Sequence, residues 1–258
     1  MNMLRPLSAL LIFLFFIPNG YGSATITPEQ LAQKVYDRYV GDDMQVKGTM
    51  ELISKKGHFR SRDFISARKD KGEERMQLIR FTSPADIRGT AFLTIEQEGS
   101  SKTEQHLYLP ALKRTRRIVA SQQGRSFVNS DFTYEDMQRH PVDDWTYQIE
   151  GEENILGRTC YILTSIPKPE TDTQYSKVTS WIDKEHLIVL KTLFWDDKNR
   201  QSKNYRVNTF EIVDGIATET NVLMTDLQSS HQTRLTTQKI VYNSGLDDSL
   251  FTKRAMEK

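Results

Sequence analysis

Val46–Phe81 reads "VKGTMELISKKGHFRSRDFISARKDKGEERMQLIRF". Through "VKGTMELIS", "HFRSRDFISAR" and "ERMQLIRF" the side-chain character changes with a period of two, and "KKG" stands as a turn between the first pair. A period of two sends successive side chains to opposite faces of an extended chain, whereas a helix repeats near 3.6. The stretch therefore predicts strands folding back on one another. The same rhythm continues in "TAFLTIEQ" and "TEQHLYL", then in "DWTYQIEG", "CYILTSIP", "VTSWID", "LIVLKTLFW", "SKNYRVNTFEIV", "IATETNVLMTD" and "HQTRLTTQKIVY". Turn signals such as "EGSS", "DDKN" and "VDG" separate them. That makes about eleven to thirteen strands in sequential meander, with no βαβ alternation. The class is mainly β and antiparallel, closed or nearly closed on itself.

One clear helix precedes the strands, in "TPEQLAQKVYDRYV". Thr27 is an N-cap, Pro28 takes the first helical position and Gln30 completes a capping box. Leu31, Val35 and Tyr39 predict an apolar stripe, with Gly41 as the stop. Several strands carry apolar residues on both faces: Ala91, Leu93 and Ile95 oppose Thr90, Phe92 and Thr94, and Met76 and Leu78 oppose Ile79 and Phe81. Either helices cover one face, or the sheet curves around a hydrophobic cavity.

Residues 1–24 predict a cleaved signal peptide: Arg5, an apolar run from Leu7 to Ile17, then Pro18, Asn19, Gly20 and small residues. The apolar run is too short for a bilayer, which needs about 20 residues. The chain has 258 residues with 35 basic and 34 acidic side chains, so loss of Arg5 leaves a neutral balance. Neutrality and secretion argue against nucleic acid, whose binders carry a basic surface. Cys160 is the one cysteine, so an intramolecular disulfide is excluded. A secreted chain without disulfides suits a bacterial periplasm, and residues 25–258 are expected to form a single domain.

The sequence holds no HExxH, no CxxC pair, no GxSxG and no P-loop. His58, His106, His140, His186 and His231 show no ligand spacing. The paired acids Asp42–Asp43, Asp143–Asp144, Asp196–Asp197 and Asp247–Asp248 sit at element boundaries, where Asp serves turns and caps. Cys160 opens an apolar segment and reads as a buried small hydrophobe. No catalytic residue, metal site or cofactor is expected.

"HLYLPALKRTRRIV" reads as strand, turn and strand, with Pro110 marking the turn. Arg114 and Arg116 project from one side and Arg117 from the other. "SDFTYEDMQRH" predicts a short helix capped by Ser130 or Asp131. Three readings arise for this region: a nucleic-acid face, arginines paired with Asp131, Glu135 and Asp136, or a hydrophobic lid held by arginine–carboxylate pairs.

"RGTAFLTIEQ", "YLPALKRTRRI", "SDFTYEDM" and the terminal "DDSLFTKRAMEK" resemble the outer-membrane lipoprotein-sorting protein family, within the superfamily of the periplasmic carriers LolA and LolB. The resemblance spans the chain after the leader. Tyr108, Leu109, Pro110, Lys113, Arg114, Arg117, Ser130, Asp131, Phe132, Tyr134 and Asp136 carry it. It implies an incomplete antiparallel β-barrel of about 11 strands, an N-terminal helix, short helices over the concave side, and a cavity for acyl chains or another lipid. The branch it points to is a companion of RND-type exporters.

The expectation is a non-enzymatic periplasmic carrier of a lipid or of lipoprotein acyl chains. Its partners would be an inner-membrane RND-type exporter and an outer-membrane acceptor. The alternatives are a periplasmic lipid-binding sensor, or an exporter adaptor with no cargo of its own. The expected ligand-binding residues are Phe92, Leu93, Leu107, Leu109, Phe127, Phe132, Tyr134 and Trp145. Lys113, Arg114, Arg116 and Arg117 are expected to meet headgroups or an acidic partner. Phe132→Asp or Leu93→Asp is expected to abolish lipid retention without unfolding the sheet.

Overall fold

A computed structural model describes residues 26–72, 74–97 and 103–258; the expected leader and the "EGSS" turn lie outside them. Thirteen antiparallel strands form one open, curved sheet. The first six are β1 (Asp43–Ile53), β2 (Phe59–Lys71), β3 (Glu74–Ser83), β4 (Ala91–Glu96), β5 (Thr103–Leu109) and β6 (Arg114–Ile118). The rest are β7 (Trp145–Ile155), β8 (Arg158–Pro167), β9 (Lys177–Asp183), β10 (Val189–Trp195), β11 (Gln201–Val213), β12 (Ile216–Asp226) and β13 (Gln232–Tyr242).

From β1 the chain steps outward, hairpin by hairpin, to β6 at one edge. It then crosses to the far edge and steps inward from β7 to β13, which pairs with β1 in the middle. The crossing segment, residues 119–144, joins the two free edges and runs over the concave face like a strap. Short turns explain the meander, because antiparallel neighbours need only a few residues between them.

Helix α1 (Pro28–Tyr36) carries the expected capping box: Gln30 N–H donates to Thr27 Oγ1 at 3.2 Å, and Thr27 N–H to Gln30 Oε1 at 3.1 Å. It ends at Tyr36, earlier than the stripe through Tyr39 predicts. Leu31 and Ala32 are buried against Leu163 and Ile182 at the β8–β9 side of the sheet, while Tyr39 is exposed. The early stop frees Arg38 and Val40 to face the sheet. Helix α2 (Lys253–Met256) lies on the opposite face from the strap. There Phe251 and Met256 pack with Met76, Ala91 and Leu93. Arg80, in phase with Met76 and Leu78, fastens this tail by donating to the carbonyls of Ala255 (2.6 Å) and Met256 (3.3 Å).

The helix expected over "SDFTYEDMQRH" is reduced to one 3₁₀ turn, Glu135–Met137, without a side-chain cap. Ser130 and Asp131 do other things. Ser130 Oγ bonds Phe132 locally, and Asp131 reaches β13. Asp and Ser compete with helix by exactly such local and cross-strand bonds. The paired acids serve turns as their positions suggest: Asp43 accepts the N–H groups of Ser244 (2.9 Å), Gly245 (2.7 Å) and Leu246 (3.1 Å). Cys160 is fully buried, which pushes its thiol pKa up.

Candidate functional site

The concave face of β1–β5 bears Met50, Ile79, Phe81, Phe92 and Leu107, and the strap lowers Phe127, Phe132 and Tyr134 onto them. Phe127 is the centre of this cluster, with ring centroids 5.0 Å from Phe92, 5.9 Å from Tyr134 and 6.1 Å from Phe81. Tilted and edge-on rings at such distances add to plain area burial. The tip of the strap, Val128–Asn129, turns through left-handed backbone (φ 44° and 61°), and Arg62 holds the Val128 carbonyl. A β-branched residue rarely adopts that conformation, so the surrounding contacts must impose it.

The strap does not fill the concave side. Beyond Phe127 and Phe132 a cavity of about 650 Å³ remains between the strap, the segment after α1 and the sheet. That size falls within the range of small-molecule sites. Its wall is mostly apolar: Val46, Met50, Phe64, Ile79, Val178, Phe194, Val222, Met224, Leu235 and Ile240 from the sheet, with Phe127, Phe132 and Met137 from the strap and Trp145 beside it. Polar groups enter at one end from Arg38, Arg68, Glu219, Tyr205 and Tyr242, and elsewhere from residues that include Gln77, Asp136, Gln138, His140 and Tyr175.

Carboxylates latch the strap to the β9–β13 half. Asp136 accepts Lys203 Nζ at 2.8 Å and the Tyr175 hydroxyl at 2.6 Å, in a place where both partners of the ion pair are nearly buried. Burial, then the adjacent Asp136, pushes the Tyr175 hydroxyl well above its usual pKa. Glu135 accepts the Gln174 amide at 2.9 Å and the Thr173 hydroxyl. Asp131 accepts the Thr233 hydroxyl at 2.6 Å and lies 2.8 Å from His231 Nδ1. Arg139 ties the far end of the strap to Glu96 at 2.6 Å and stacks on the Tyr36 ring. Of the three readings of this region, those that pair its acids with arginines are corrected. Its acids bond to Lys203, Tyr175, Gln174, Thr233 and His231, and not to the arginines of "LKRTRRI".

Phe127, Phe132 and Trp145 line the cavity. Phe92, Leu107 and Tyr134 lie beneath it in the aromatic cluster, and Leu109 packs at that cluster's margin. Leu93 points the other way, into the core under α2. Lys113, Arg114, Arg116 and Arg117 are exposed on the edge strand and its turn; among the described residues none of them donates a hydrogen bond from its side chain. Arg68 and Arg38 were not singled out in the sequence. Arg68 carried a signal: it is in phase with Phe64 and Ser66 on β2. Among the described residues no cluster of His, Cys, Asp and Glu is arranged to hold a metal.

A family model described as "Uncharacterized protein" matches residues 73–258. No curated protein matches the chain. A DUF1329 family protein from Desulfovibrio piger ATCC 29098 has a crystal structure 31% identical in sequence, with a TM-score of 0.84, covering 89% of this chain and 97% of that one. The chain belongs to the DUF1329 family. A domain from Vibrio parahaemolyticus described as an outer membrane lipoprotein-sorting protein is 27% identical, with a TM-score of 0.82 over 89% of this chain and 98% of its own. A LolA superfamily protein from Nitrosomonas europaea shares the fold at 20% identity and a TM-score of 0.69, over 90% of this chain and 100% of its own. In this DUF1329 protein the motif blocks meet in space. "RGT" and "YLP" touch where Gly89, at φ +81°, sits so close to Pro110 that a Cβ would lie 3.1 Å from its ring. "SDFTYEDM" is the part of the strap that carries the latches.

Proposed function

We propose that this protein is a non-enzymatic periplasmic carrier that holds a lipid, or the acyl chains of a lipoprotein, in the cavity beneath the strap. The observation that carries this reading is the largely apolar cavity of about 650 Å³, enclosed by an open sheet and a segment latched by polar bonds. Each methylene kept from water is worth about 0.8 kcal/mol, so an acyl chain does not cross an aqueous compartment free. A polar latch over an apolar cavity supplies retention and a route to release. The description of the Vibrio relative as lipoprotein-sorting and the leader-like N-terminus support the same reading.

The transfer would run towards the outer membrane, or together with an RND-type exporter, with an inner-membrane exporter and an outer-membrane acceptor as partners. Lys113, Arg114, Arg116 and Arg117 on the edge strand offer a cationic surface for headgroups or an acidic partner. The test is native mass spectrometry of protein purified from periplasm without detergent, followed by lipid extraction from the same sample. A bound lipid or lipidated peptide in one-to-one ratio is the expected result. An empty protein that also takes up no fluorescent fatty acid overturns the carrier reading.

A further inference from the structure

Two arginines meet at one end of the cavity, away from the Asp136–Lys203 latch. Where β1 begins and β2 and β13 finish, with Met44 opposite both Arg68 and Tyr242, Arg38 and Arg68 line its wall. The Arg68 side chain is only 9% exposed. Its guanidinium donates to the backbone carbonyls of Val40 and Gly41, the latter at 3.1 Å, and its Nε is buried without a hydrogen bond. The carboxylate nearest that Nε, Asp70, is 3.7 Å away and is already gripped through two bonds by Arg75 (2.8 and 2.6 Å). Arg38 donates to the Ala217 carbonyl at 3.1 Å.

Backbone carbonyls thus take the hydrogen bonds of both guanidiniums, with Asp70 near Arg68 and Glu219 near Arg38 as the facing acids. Glu219, the acid facing Arg38, accepts the Tyr205 hydroxyl at 3.0 Å, and burial raises its carboxyl pKa against the opposing pull of Tyr205 and Arg38. Burial likewise lowers the pKa of both arginines, as expected of cations whose lost hydration is incompletely replaced. Buried charges are ordinarily paired, and hydrogen bonds to backbone carbonyls leave the positive charge of a guanidinium open to an anion.

We propose that Arg38 and Arg68 form the head-group subsite of the cavity, and that its ligand is a long-chain amphiphile ending in an anionic oxygen group, a carboxylate or a phosphate. The inference rests on the lipid-carrier reading and narrows it to a charged cargo. A guanidinium fork matches two anionic oxygens at once, and a low-dielectric wall strengthens the attraction. The chain of the amphiphile extends from there along Val46, Met50, Phe64, Ile79, Met224 and Leu235.

Displacement of the neutral dye N-phenyl-1-naphthylamine from delipidated protein tests this, with laurate and dodecanol as competitors of equal chain length and calorimetry with inorganic phosphate as a third arm. Laurate is expected to compete about tenfold more strongly than dodecanol, a difference in line with one charge-assisted pair. R38Q and R68Q, made separately, should each shrink the ratio of laurate to dodecanol competition, with dye uptake by each variant reporting that the cavity remains formed; an unchanged ratio in both variants, each still taking up dye, overturns the subsite. Equal competition by laurate and dodecanol in the unaltered protein overturns the head-group subsite and leaves the carrier reading standing. Inorganic phosphate binding as tightly as laurate overturns the amphiphile in favour of a free anion. Failure of dye, laurate and dodecanol alike to bind overturns both readings.

Discussion

Phe92 and Leu93 are adjacent on one strand and both are buried, yet they belong to different interiors. Phe92 meets Phe127 and Tyr134 of the strap, on the side where a cavity remains. Leu93 meets Phe251 and Met256 of the C-terminal tail, on a side where Ala91, Leu93 and Met256 are fully buried. The sheet is equally apolar on both faces here, so its own residues do not decide which face can hold a ligand. The covering segment decides. The tail is a short apolar plug fastened through its backbone carbonyls by Arg80. The strap is longer, is anchored at both sheet edges, and is fastened by carboxylates that keep it above the floor of the curve.

The strongest way to break this comparison is Leu93→Asp. The sequence alone suggested a folded variant that loses lipid; the packed surroundings instead predict unfolding, with a loss of about 4 kcal/mol or more for a carboxylate lacking partners. Denaturant titration checks it, and a stably folded variant would show that the tail side is as open as the strap side. Next in size, Asp136→Asn leaves Lys203 buried without its charge partner and should cost about 3 kcal/mol. Hydrogen exchange should then quicken in residues 127–138 and stay slow in the tail. Met256→Ala, on the tail side, should cost about 2–3 kcal/mol and leave dye uptake per folded molecule unchanged. Phe132→Ala, on the cavity side, should cost about 2 kcal/mol because the side chain already borders a void, while altering dye uptake more than Met256→Ala does.

The smallest effect concerns pH. The raised pKa of Glu219 means that the folded state binds this proton more tightly than the unfolded chain. Its contribution is fully present below the ordinary glutamate value of about 4.3 and is lost as pH rises through the higher folded value. Glu219→Gln should remove that decline, so its stability curve should diverge upward from that of the unaltered protein across this window. Parallel curves would show that burial does not raise the Glu219 carboxyl in the folded protein.

Much of this was legible in the chain itself. The period of two from Val46 onward determined antiparallel strands, because side-chain alternation is a local property of extended backbone. Thr27, Pro28 and Gln30 determined where α1 starts, because capping bonds span three residues. The blocks "YLPALKRTRRI" and "SDFTYEDM" pointed to the right family. Other features depend on partners distant in the chain. Asp131 finds Thr233 and Asp136 finds Lys203 only after the strap has crossed the sheet, so no local pattern could show that Ser130–His140 would forgo a helix. Alternation placed Leu93 and Phe92 on opposite faces without saying which face curved inward. That choice, and the convergence of Arg38 and Arg68 on one end of the cavity, came only with the tertiary structure, because curvature and enclosure belong to the assembled sheet and not to any one strand.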